Sequence, residues 1–374
     1  MSSLTRESAL IPDQEAVSQV ETGETLRENI MQFLSRMAKK RISIFVSQKR
    51  GFYSFIFLTT AFLISLGAEL ICNHRPLLIN YQGELYVPFL KSYPETTFGG
   101  DFDTETDYKD EDILEILEKE PNWVLWAPIR YGPTEIDFDL DGPAPSAPDE
   151  SHLLGTDDRA RDVLARLLYG FRISFLFGLA LALLGTLFGI IAGAIQGYFG
   201  GITDLLGQRI IEVWSSLPEL FILIILTSVF EPSIYIMLIL MACMGWMGLA
   251  AYVRAEFLKA REYEYVQSPV ALGAGKLRVM LIHILPNTLA PAITFFPFRV
   301  SGAITGLASL DFLGLGVPPP TPSLGELLAQ GKTNLHCWWI ILATFLVLVI
   351  TILCLNFIGE GIQKAMDPRA MAER

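Results

Sequence analysis

Charged residues are scarce in this sequence: Asp, Glu, Lys and Arg make up only 18% of its 374 residues, whereas hydrophobic residues make up 51%. With a mean hydropathy of +0.41, this composition is typical of a membrane protein and not of a soluble domain. Nucleic acid is not expected as a partner of such a chain.

Cysteine and histidine are equally rare, with four residues of each. The cysteines lie in or beside long apolar runs and form no C-x-x-C pair, so we interpret them as apolar packing residues. They are Cys72, Cys243, Cys337 and Cys354. The histidines are too scattered along the chain to predict a metal site.

The sequence also lacks a phosphate-binding loop. Two segments carry Gly-Lys, GAGKL at 273–277 and QGKT at 330–333, but Val270 and Glu326 stand where the first glycine of that loop is required. The chain therefore cannot hydrolyse ATP by that route, and it contains neither H-E-x-x-H nor G-x-S-x-G. We predict that it is not an enzyme and that any energy source is another polypeptide.

The acidic residues are concentrated in one segment. Residues 74–162 contain 21 Asp and Glu against 7 Lys and Arg, which leaves 19 acidic and 21 basic residues in the rest of the chain. The negative charge therefore describes one domain. Basic residues elsewhere cluster beside the apolar runs, as they do on the cytoplasmic side of membrane proteins.

The apolar runs reach the length of about 20 residues that a membrane span requires. We predict six spans, at 52–72, 173–197, 208–230, 233–252, 288–310 and 338–359. Lys49 and Arg50 precede the first span, so the N-terminus is predicted to be cytoplasmic, and alternation returns the C-terminus to the same side. We interpret residues 1–50 as a cytoplasmic tail, with either an interfacial helix or an ordinary basic flank at 31–50, and 361–374 as a second tail.

Residues 74–151 are predicted to form an external insert with its own fold, after the first transmembrane helix at 51–73. LLINYQGELYVPFL (77–90) predicts two strands around Gln82 and Gly83, Asp110 to Glu120 predicts a helix, and NWVLWAPIRYG (122–132) supplies aromatic core residues. Two acidic runs, at 101–112 and 137–142, depart from a calcium-binding loop at essential positions, so we interpret them as solvated surface.

Small residues and prolines mark special positions within the spans. Gly178, Gly185, Gly189, Gly193 and Gly197 recur at spacings of four or seven, which lets a neighbouring helix approach closely. Prolines are expected to interrupt other spans where backbone groups face protein or a watery path. These are Pro218, Pro291 and Pro297.

The segment HLLGTDDRARDVLARLLYGFRIS (152–174) resembles the motif L-G-T-D-x-x-G-R-D-V-x-x-R-x-x-Y-G-x-R-x-S of oligopeptide and dipeptide ABC importer permeases. Thr156 or Asp157 can cap an amphipathic helix here, which the resemblance places on the outer membrane surface. Ala160 replaces the family's glycine, a minor departure provided that its φ is negative.

Two further segments resemble the same family. TDLLGQRIIEVWSSLPEL (203–220) carries Arg209 and Glu212, which we interpret as a structural ion pair. SLDFLGLGVPPPTPSLG (309–325) resembles the family's S-x-x-F-L-G-L-G motif and implies an external re-entrant or gate-side loop. The resemblance covers about 152–360, and the insert more narrowly resembles permeases of the Yej type, which import microcin C and peptides.

The loop YEYVQSPVALGAGKLRVMLIHILPN (263–287) resembles the cytoplasmic loop through which such permeases contact their ATPase, with a coupling helix near 263–276. QSP at 267–269 stands where E-A-A is usual. Because Pro269 lacks a backbone donor and disfavours a helical residue before it, we predict that the docking helix begins at or after Ser268. The predicted ATPase contacts are Val270, Ala271, Leu272, Gly273, Ala274 and Gly275.

Arg299 lies near the middle of the fifth span, where an unpaired charge is costly. It is therefore expected to face a partner or an aqueous path, and the sequence leaves a structural ion pair and a contact with the passing substrate equally open. Glu69 in the first span and Asp311 just beyond the fifth are the candidate partners. Arg299 and Glu69 are also our candidates for the translocation path.

The resemblance implies an all-α membrane protein with six transmembrane helices, a cytoplasmic coupling helix and a small external α+β insert. It implies a permease subunit of an ATP-driven importer for peptides or peptide-like compounds in a bacterial inner membrane, working by alternating access. The implied partners are a second homologous permease, a cytoplasmic ABC ATPase with two nucleotide-binding domains, a periplasmic substrate-binding protein and membrane lipid. ATP and Mg are expected on the ATPase, and no cofactor on this chain.

Three other classes remain open at this stage. A secondary transporter or channel would need no coupling loop, and an inverted repeat would favour it, but we see none clearly. A permease for another cargo, such as a metal chelate, would share much of the scaffold. A membrane enzyme would need a convergent catalytic set in the acidic insert, and none is visible.

Overall fold

A computed structural model describes residues 38–140, 142–230 and 233–367, and most of these residues are helical. The predictions for the tails at residues 1–37 and 368–374 lie outside the described residues. Residues 38–47 form a helix, α1, within the segment predicted to be interfacial or a basic flank. It is followed by α2 (Lys49–Leu66) and, after Gly67, by the short α3 (Ala68–Ile71).

The insert contains the predicted small fold. Strands β1 (Leu78–Tyr81) and β2 (Glu84–Tyr86) form an antiparallel hairpin, and β3 (Trp123–Leu125) joins the other edge of β1, in the order β2-β1-β3. Gln82 and Gly83 make the predicted turn, both with positive φ, as a two-residue hairpin with the twist of its strands requires.

A short helix covers this sheet. Helix α4 (Glu111–Glu118) lies within the predicted helical range and begins at Asp110, whose carboxylate accepts hydrogen bonds from the backbone N–H groups of Asp112 and Ile113. Between β2 and α4 lies a 3₁₀ turn, Glu95–Phe98. The core beneath combines strand, turn and helix residues: Ile79, Phe98, Tyr108, Ile113 and Leu117.

The rest of the chain is helical. Its elements are α5 (Val163–Phe199), α6 (Gly201–Ser215), α7 (Glu219–Val229), α8 (Ile234–Gly245), α9 (Met247–Ala260), α10 (Glu264–Ala271), α11 (Lys276–Arg278), a π-helical segment (Val279–Ile284), α12 (Leu285–Phe312), α13 (Leu324–Thr333) and α14 (Trp338–Met366). Helix α5 combines the predicted surface helix and the second span in one rod, so the prediction of two separate elements is wrong there.

Fewer helices than six are long and apolar enough to cross a membrane on their own. Four stretches in the described part of the chain meet that requirement: Val163–Phe199, Ile234–Ala260, Lys276–Phe312 and Trp338–Met366. Helices α6 and α7 make a fifth candidate span only if they are taken together. They are bent by 71° relative to each other at a break that ends at Pro218, the N-cap residue of α7. The predicted count of six spans is therefore not confirmed, whereas the predicted interruption of the span 208–230 at Pro218 is confirmed.

The other two intramembrane prolines do not break their helix. Pro291 and Pro297 both lie inside the continuous α12, so the prediction that they interrupt a span is wrong. Each removes one backbone donor from α12, and membrane helices tolerate such a loss where other groups satisfy the freed carbonyl.

Helix α5 lies at the centre of the bundle, and Gly189, Gly193 and Gly197 of its glycine stripe lie against α9, whereas Gly178 lies against α12. A Cβ at Gly193 would lie 2.5 Å from the carbonyl oxygen of Ala250, and one at Gly197 would lie 2.5 Å from the Cβ of Phe257. The predicted close approach is confirmed. Because residue numbers rise together along both helices at these contacts, α5 and α9 run parallel.

Candidate functional site

The first candidate site lies at the N-terminal end of α5, where the segment 152–162 folds into a tight loop. The helix is capped by Asp162, whose carboxylate accepts from the N–H of Ala165 at 2.7 Å, and not by Thr156 or Asp157 as predicted. Asp157 instead accepts from the backbone N–H of Arg161 at 3.0 Å and so closes the loop on itself.

A buried charge network ties this loop to α13. Arg161 donates through Nε to Asp157 at 2.8 Å and through Nη2 to Glu326 at 3.1 Å. Arg166, one turn into α5 and fully buried, donates to the other oxygen of Glu326 at 2.5 Å. Two cations thus share two carboxylates, which offsets the burial of each charge only while all four remain in place.

Sequence reasoning missed this network, although it read Asp157 as a candidate cap. Glu326 lies more than 150 positions away from the two arginines, on α13, just beyond the segment 309–325 that was predicted to be a gate-side loop. The usable signal was the placement of Arg161 and Arg166 beside an apolar stripe, because an arginine on a buried face requires an acid from elsewhere in the fold.

His152 joins the insert to the same loop. Its ring is buried between two carboxylates, with Nδ1 2.9 Å from Asp162 and Nε2 3.1 Å from Asp137, and the ring of Tyr131 lies 4.1 Å away between centroids. Burial lowers the pKa of the imidazole, but the hydrogen bonds and charges of the two carboxylates outweigh it, so the pKa of His152 is raised above its ordinary value.

The predicted gate-side loop is anchored at both ends by one carboxylate. Asp311, at the end of α12, accepts from the N–H of Val317 at 2.7 Å and from the hydroxyl of Ser323, the N-cap residue of α13. Gly314 has a φ of 74°, which allows the chain to turn sharply between them. The loop therefore holds α13 against the N-terminal part of α5, where Gly170 lies beside Leu324.

The second candidate site is the loop around α10. This helix is held by one buried side chain, Val266, which packs with the core of α9 and the π-helical segment. At its end the N–H of Ala274 donates to the carbonyl of Pro269 at 2.9 Å, and Gly273 has a φ of 84°. This hydrogen bond and the positive φ of Gly273 form a glycine C-cap, which explains the glycine at that position.

The start of this helix corrects a prediction. Helix α10 begins at Glu264 and continues without a break to Ala271, so the prediction of a start at or after Ser268 is wrong. Pro269 is accommodated in the second turn, where only one internal hydrogen bond is lost, and the hydroxyl of Ser268 donates to the carbonyl of Glu264 at 2.8 Å.

The residues predicted to contact an ATPase form the tip of this loop. Leu272 is 89% exposed, Val270 is half exposed, and of the six predicted residues only Ala274 is partly covered. An exposed leucine at a helix end, next to the basic side chains of Lys276 and Arg278, is an apolar surface that no other described residue covers.

The third candidate site is the intramembrane Arg299. Its Nη2 donates to the carbonyl of Gly245, the last residue of α8, at 2.9 Å, and its guanidinium lies against Gly185 of α5. Three helices thus meet at this side chain near the middle of their spans.

Neither acid predicted to pair with Arg299 reaches it. Glu69 accepts from Nη1 of Arg172 at 2.8 Å, near the N-terminal end of α5, and Asp311 binds the loop described above. The predicted ion pair of Arg209 with Glu212 is confirmed at 2.6 Å. Arg299 and Glu69 are therefore not brought together.

No group of three or more His, Cys, Asp and Glu side chains among the described residues is arranged to hold a metal ion.

Comparison with known proteins places these features in one class. The family described as "Binding-protein-dependent transport system inner membrane component" matches residues 185–371, which include the loop around α10, Arg299 and α13. The chain belongs to this family and is an inner-membrane, multi-pass protein.

Individual relatives narrow the likeness. The chain is 47% identical to the inner membrane ABC transporter permease protein YejE of Escherichia coli, over 90% of this chain and 99% of that protein. It is 44% identical to the peptidoglycan transport system permease protein YejE of Agrobacterium fabrum, over 92% and 97%. The dipeptide transport system permease protein DppC of Haemophilus influenzae is 38% identical over 59% of this chain and 75% of that protein.

Proposed function

We propose that this chain is one of two permease subunits of an ATP-driven importer that carries peptides or peptide-like compounds, of the microcin C type, across the bacterial inner membrane. The observation that carries the proposal is the 47% identity to an ABC transporter permease over nearly the whole of both chains, including the insert. Two other relatives are named as permeases of peptidoglycan and dipeptide transport systems, and these names support a peptide-like cargo.

The proposed topology has six crossings, with both termini in the cytoplasm and the insert outside. Helices α2 and α3 together support a first crossing, because Gly51 packs against Gly361 near the end of α14 whereas Cys72 packs beside Tyr169 near the start of α5. Helices α2 and α3 together therefore extend along the bundle from near the end of α14 to near the start of α5. The domains follow as 1–50, 51–73, 74–151, 152–360 and 361–374.

The parallel packing of α5 and α9 supports a crossing by the broken pair α6 and α7. Two consecutive spans that run in the same direction need a return of the chain between them, and α6 with α7 is the segment available. Helix α6 has no buried residue, so its apolar side chains need a partner. We assign this surface to the second permease, with membrane lipid around the pair.

Coupling to the ATPase is assigned to the tip of the loop around α10, residues Val270 to Gly275. Lys276 and Arg278 beside it favour a cytoplasmic location. ATP and Mg would be bound by the ATPase. Closure of its two nucleotide-binding domains would move α10 together with α9 and the π-helical segment, with which Val266 is packed. The permease pair would then alternate between inward- and outward-facing states, with a periplasmic binding protein delivering cargo, and this chain would make or break no covalent bond.

Co-purification of the tagged chain with its transporter partners tests the proposal. We expect the wild type to recover an ABC ATPase, and Leu272→Asp to reduce that recovery at least tenfold, because a charge replaces the exposed apolar contact. Leu90→Asp in the insert, at a leucine that is 75% exposed, is the matched control and should recover the ATPase normally. A wild-type chain that transports its cargo without any ATPase would overturn the proposal.

A further inference from the structure

Arg299 is an intramembrane cation whose charge no acid of the described chain balances. No carboxylate of the described residues forms an ion pair with it, unlike Arg172, Arg209 and Arg254. Its one hydrogen-bond acceptor is a backbone carbonyl, and the buried Nε has no partner. A guanidinium offers five N–H groups, so most of its donor capacity is unused.

The space beside the guanidinium is open. A Cβ added at Gly245, at Gly248 or at Gly302 would meet nothing within 4 Å, and all three glycines are exposed. Thr305 and Ser309 continue the exposed face of α12 beyond Gly302. Small and hydroxyl-bearing residues on a span offer little apolar surface to lipid, and a polar solute can pass along the surface that they form.

The break between α8 and α9 adds a negative end to this space. Helix α8 ends at Gly245, and its last carbonyls carry the partial negative charge of a helix C-terminus. This holds the guanidinium in place but supplies only about half an elementary charge. A further anion is needed for neutrality, and a planar carboxylate matches the remaining N–H groups.

We propose that Arg299 binds the carboxylate of the cargo, such as the C-terminal carboxylate of a peptide, at the middle of the translocation path. This rests on the proposed function and adds to it the charge of the cargo at that point. Arg299 is thus a specificity-determining residue for acidic cargo, and it binds and releases the carboxylate once in each transport cycle.

The test compares a labelled tripeptide with its C-terminal amide, using the complete transporter in proteoliposomes at concentrations that saturate the binding protein. For each peptide, uptake by Arg299→Gln is divided by uptake by the wild type. We expect at least a tenfold loss for the tripeptide and less than a twofold loss for the amide, because only the former contains the carboxylate. Arg172→Gln, which removes an arginine already paired with Glu69, should change both peptides equally.

A second measurement restores the charge. Uptake of the tripeptide by Arg299→Cys should return after modification with an ammonium-bearing methanethiosulfonate and should stay low after modification with the sulfonate-bearing reagent, in a chain whose natural cysteines are replaced. Equal losses for the two peptides in Arg299→Gln, or no loss for either, would overturn the inference. So would loss of the second permease on purification of Arg299→Gln, since it would place the anion on that subunit. A wild-type transporter that takes up neither peptide would instead defeat the proposed function.

Discussion

At the scale of the residue, the depth of each side chain decides its charge partner. Glu69 and Arg299 are both predicted from the sequence to be intramembrane charges, yet Glu69 lies just after the C-terminal end of α2 and binds Arg172. Asp311 is only twelve positions from Arg299, but it lies three turns further along α12 and binds the following loop. Sequence spacing predicts neighbours within one helix, as for Arg209 and Glu212, and not neighbours between helices.

Ala160 has a left-handed conformation, with a φ of 59°, so the expectation of a negative φ is wrong. Its N–H donates to Asp157 and its carbonyl accepts from Asp137, and both bonds are independent of the side chain. We expect Ala160→Gly to stabilise the protein by about 0.5–1 kcal/mol, since the strain of roughly 1–2 kcal/mol exceeds the added freedom of the unfolded glycine. Ala165→Gly, in α5, is the control and should destabilise. Thermal unfolding that ranks Ala160→Gly below the wild type would contradict this.

The contact of His152 with Asp137 and Asp162 should depend on pH. Since the pKa of the folded imidazole is raised, its contribution is complete below the unfolded pKa near 6.5 and is lost as pH rises through the folded value. Burial raises the pKa of Asp137, but the hydrogen bonds from His152 and from the backbone of Asp139 outweigh it, so this pKa is lowered overall. The contribution of Asp137 to stability is therefore lost only in acid. The insert should therefore be held most firmly at mildly acidic pH.

Hydrogen exchange of residues 131–162 measures this effect. We expect faster exchange at pH 8.5 than at pH 6 after correction for the intrinsic rate, and no such difference in His152→Asn. His336→Asn, at an exposed position, should behave like the wild type. A pH dependence that survives in His152→Asn would assign the effect to another group.

At the scale of the element, a proline predicts a break only where packing does not hold the helix together. Pro218 separates α6 from α7, which are exposed along most of their length. Pro297 is buried inside α12, and Pro269 lies in an α10 anchored by Val266. The same residue type therefore gives a break in one context and a continuous helix in two others, and the difference is tertiary.

The contact of α5 with α9 depends on the absence of a side chain at Gly193. A Cβ there would lie 2.5 Å from the Ala250 carbonyl oxygen and 2.8 Å from the Cβ of Val253, and neither can move without its helix. We expect Gly193→Ala to destabilise the protein by about 1–3 kcal/mol. Gly248→Ala, where nothing lies within 4 Å, is the matched control and should cost nothing because alanine favours the helix. Equal unfolding temperatures for both variants would refute the argument.

At the scale of the whole molecule, the motifs predicted the class of protein better than they predicted its internal geometry. The turn at Gln82 and Gly83 and the cap at Asp110 are local rules, and both elements form where predicted. The network of Arg166 with Glu326 joins segments that only the completed bundle brings together. Local chemistry is readable from one segment, whereas a buried ion pair needs both segments to be known.

Labelling from the two sides of the membrane tests the proposed topology. Leu90 of the insert and Leu272 of the loop around α10 are both exposed, so each can be replaced by a single cysteine in a chain whose natural cysteines have been removed. Between them lie α5, the bent pair of α6 and α7, and the stretch of α8 and α9. Three crossings place the two positions on opposite sides, whereas a re-entrant bent pair leaves two crossings and places them on the same side.

We expect a membrane-impermeant maleimide to label Leu90→Cys in intact spheroplasts and Leu272→Cys only in inside-out vesicles. The physical reason is the parallel contact of α5 with α9, in which Gly189 approaches Leu249 and Gly197 approaches Phe257, so that both helices must end on one side. The chain between them has to cross back, and the 71° bend makes that crossing a broken one. Labelling of both positions from the same side would show that α6 and α7 enter and leave by one face.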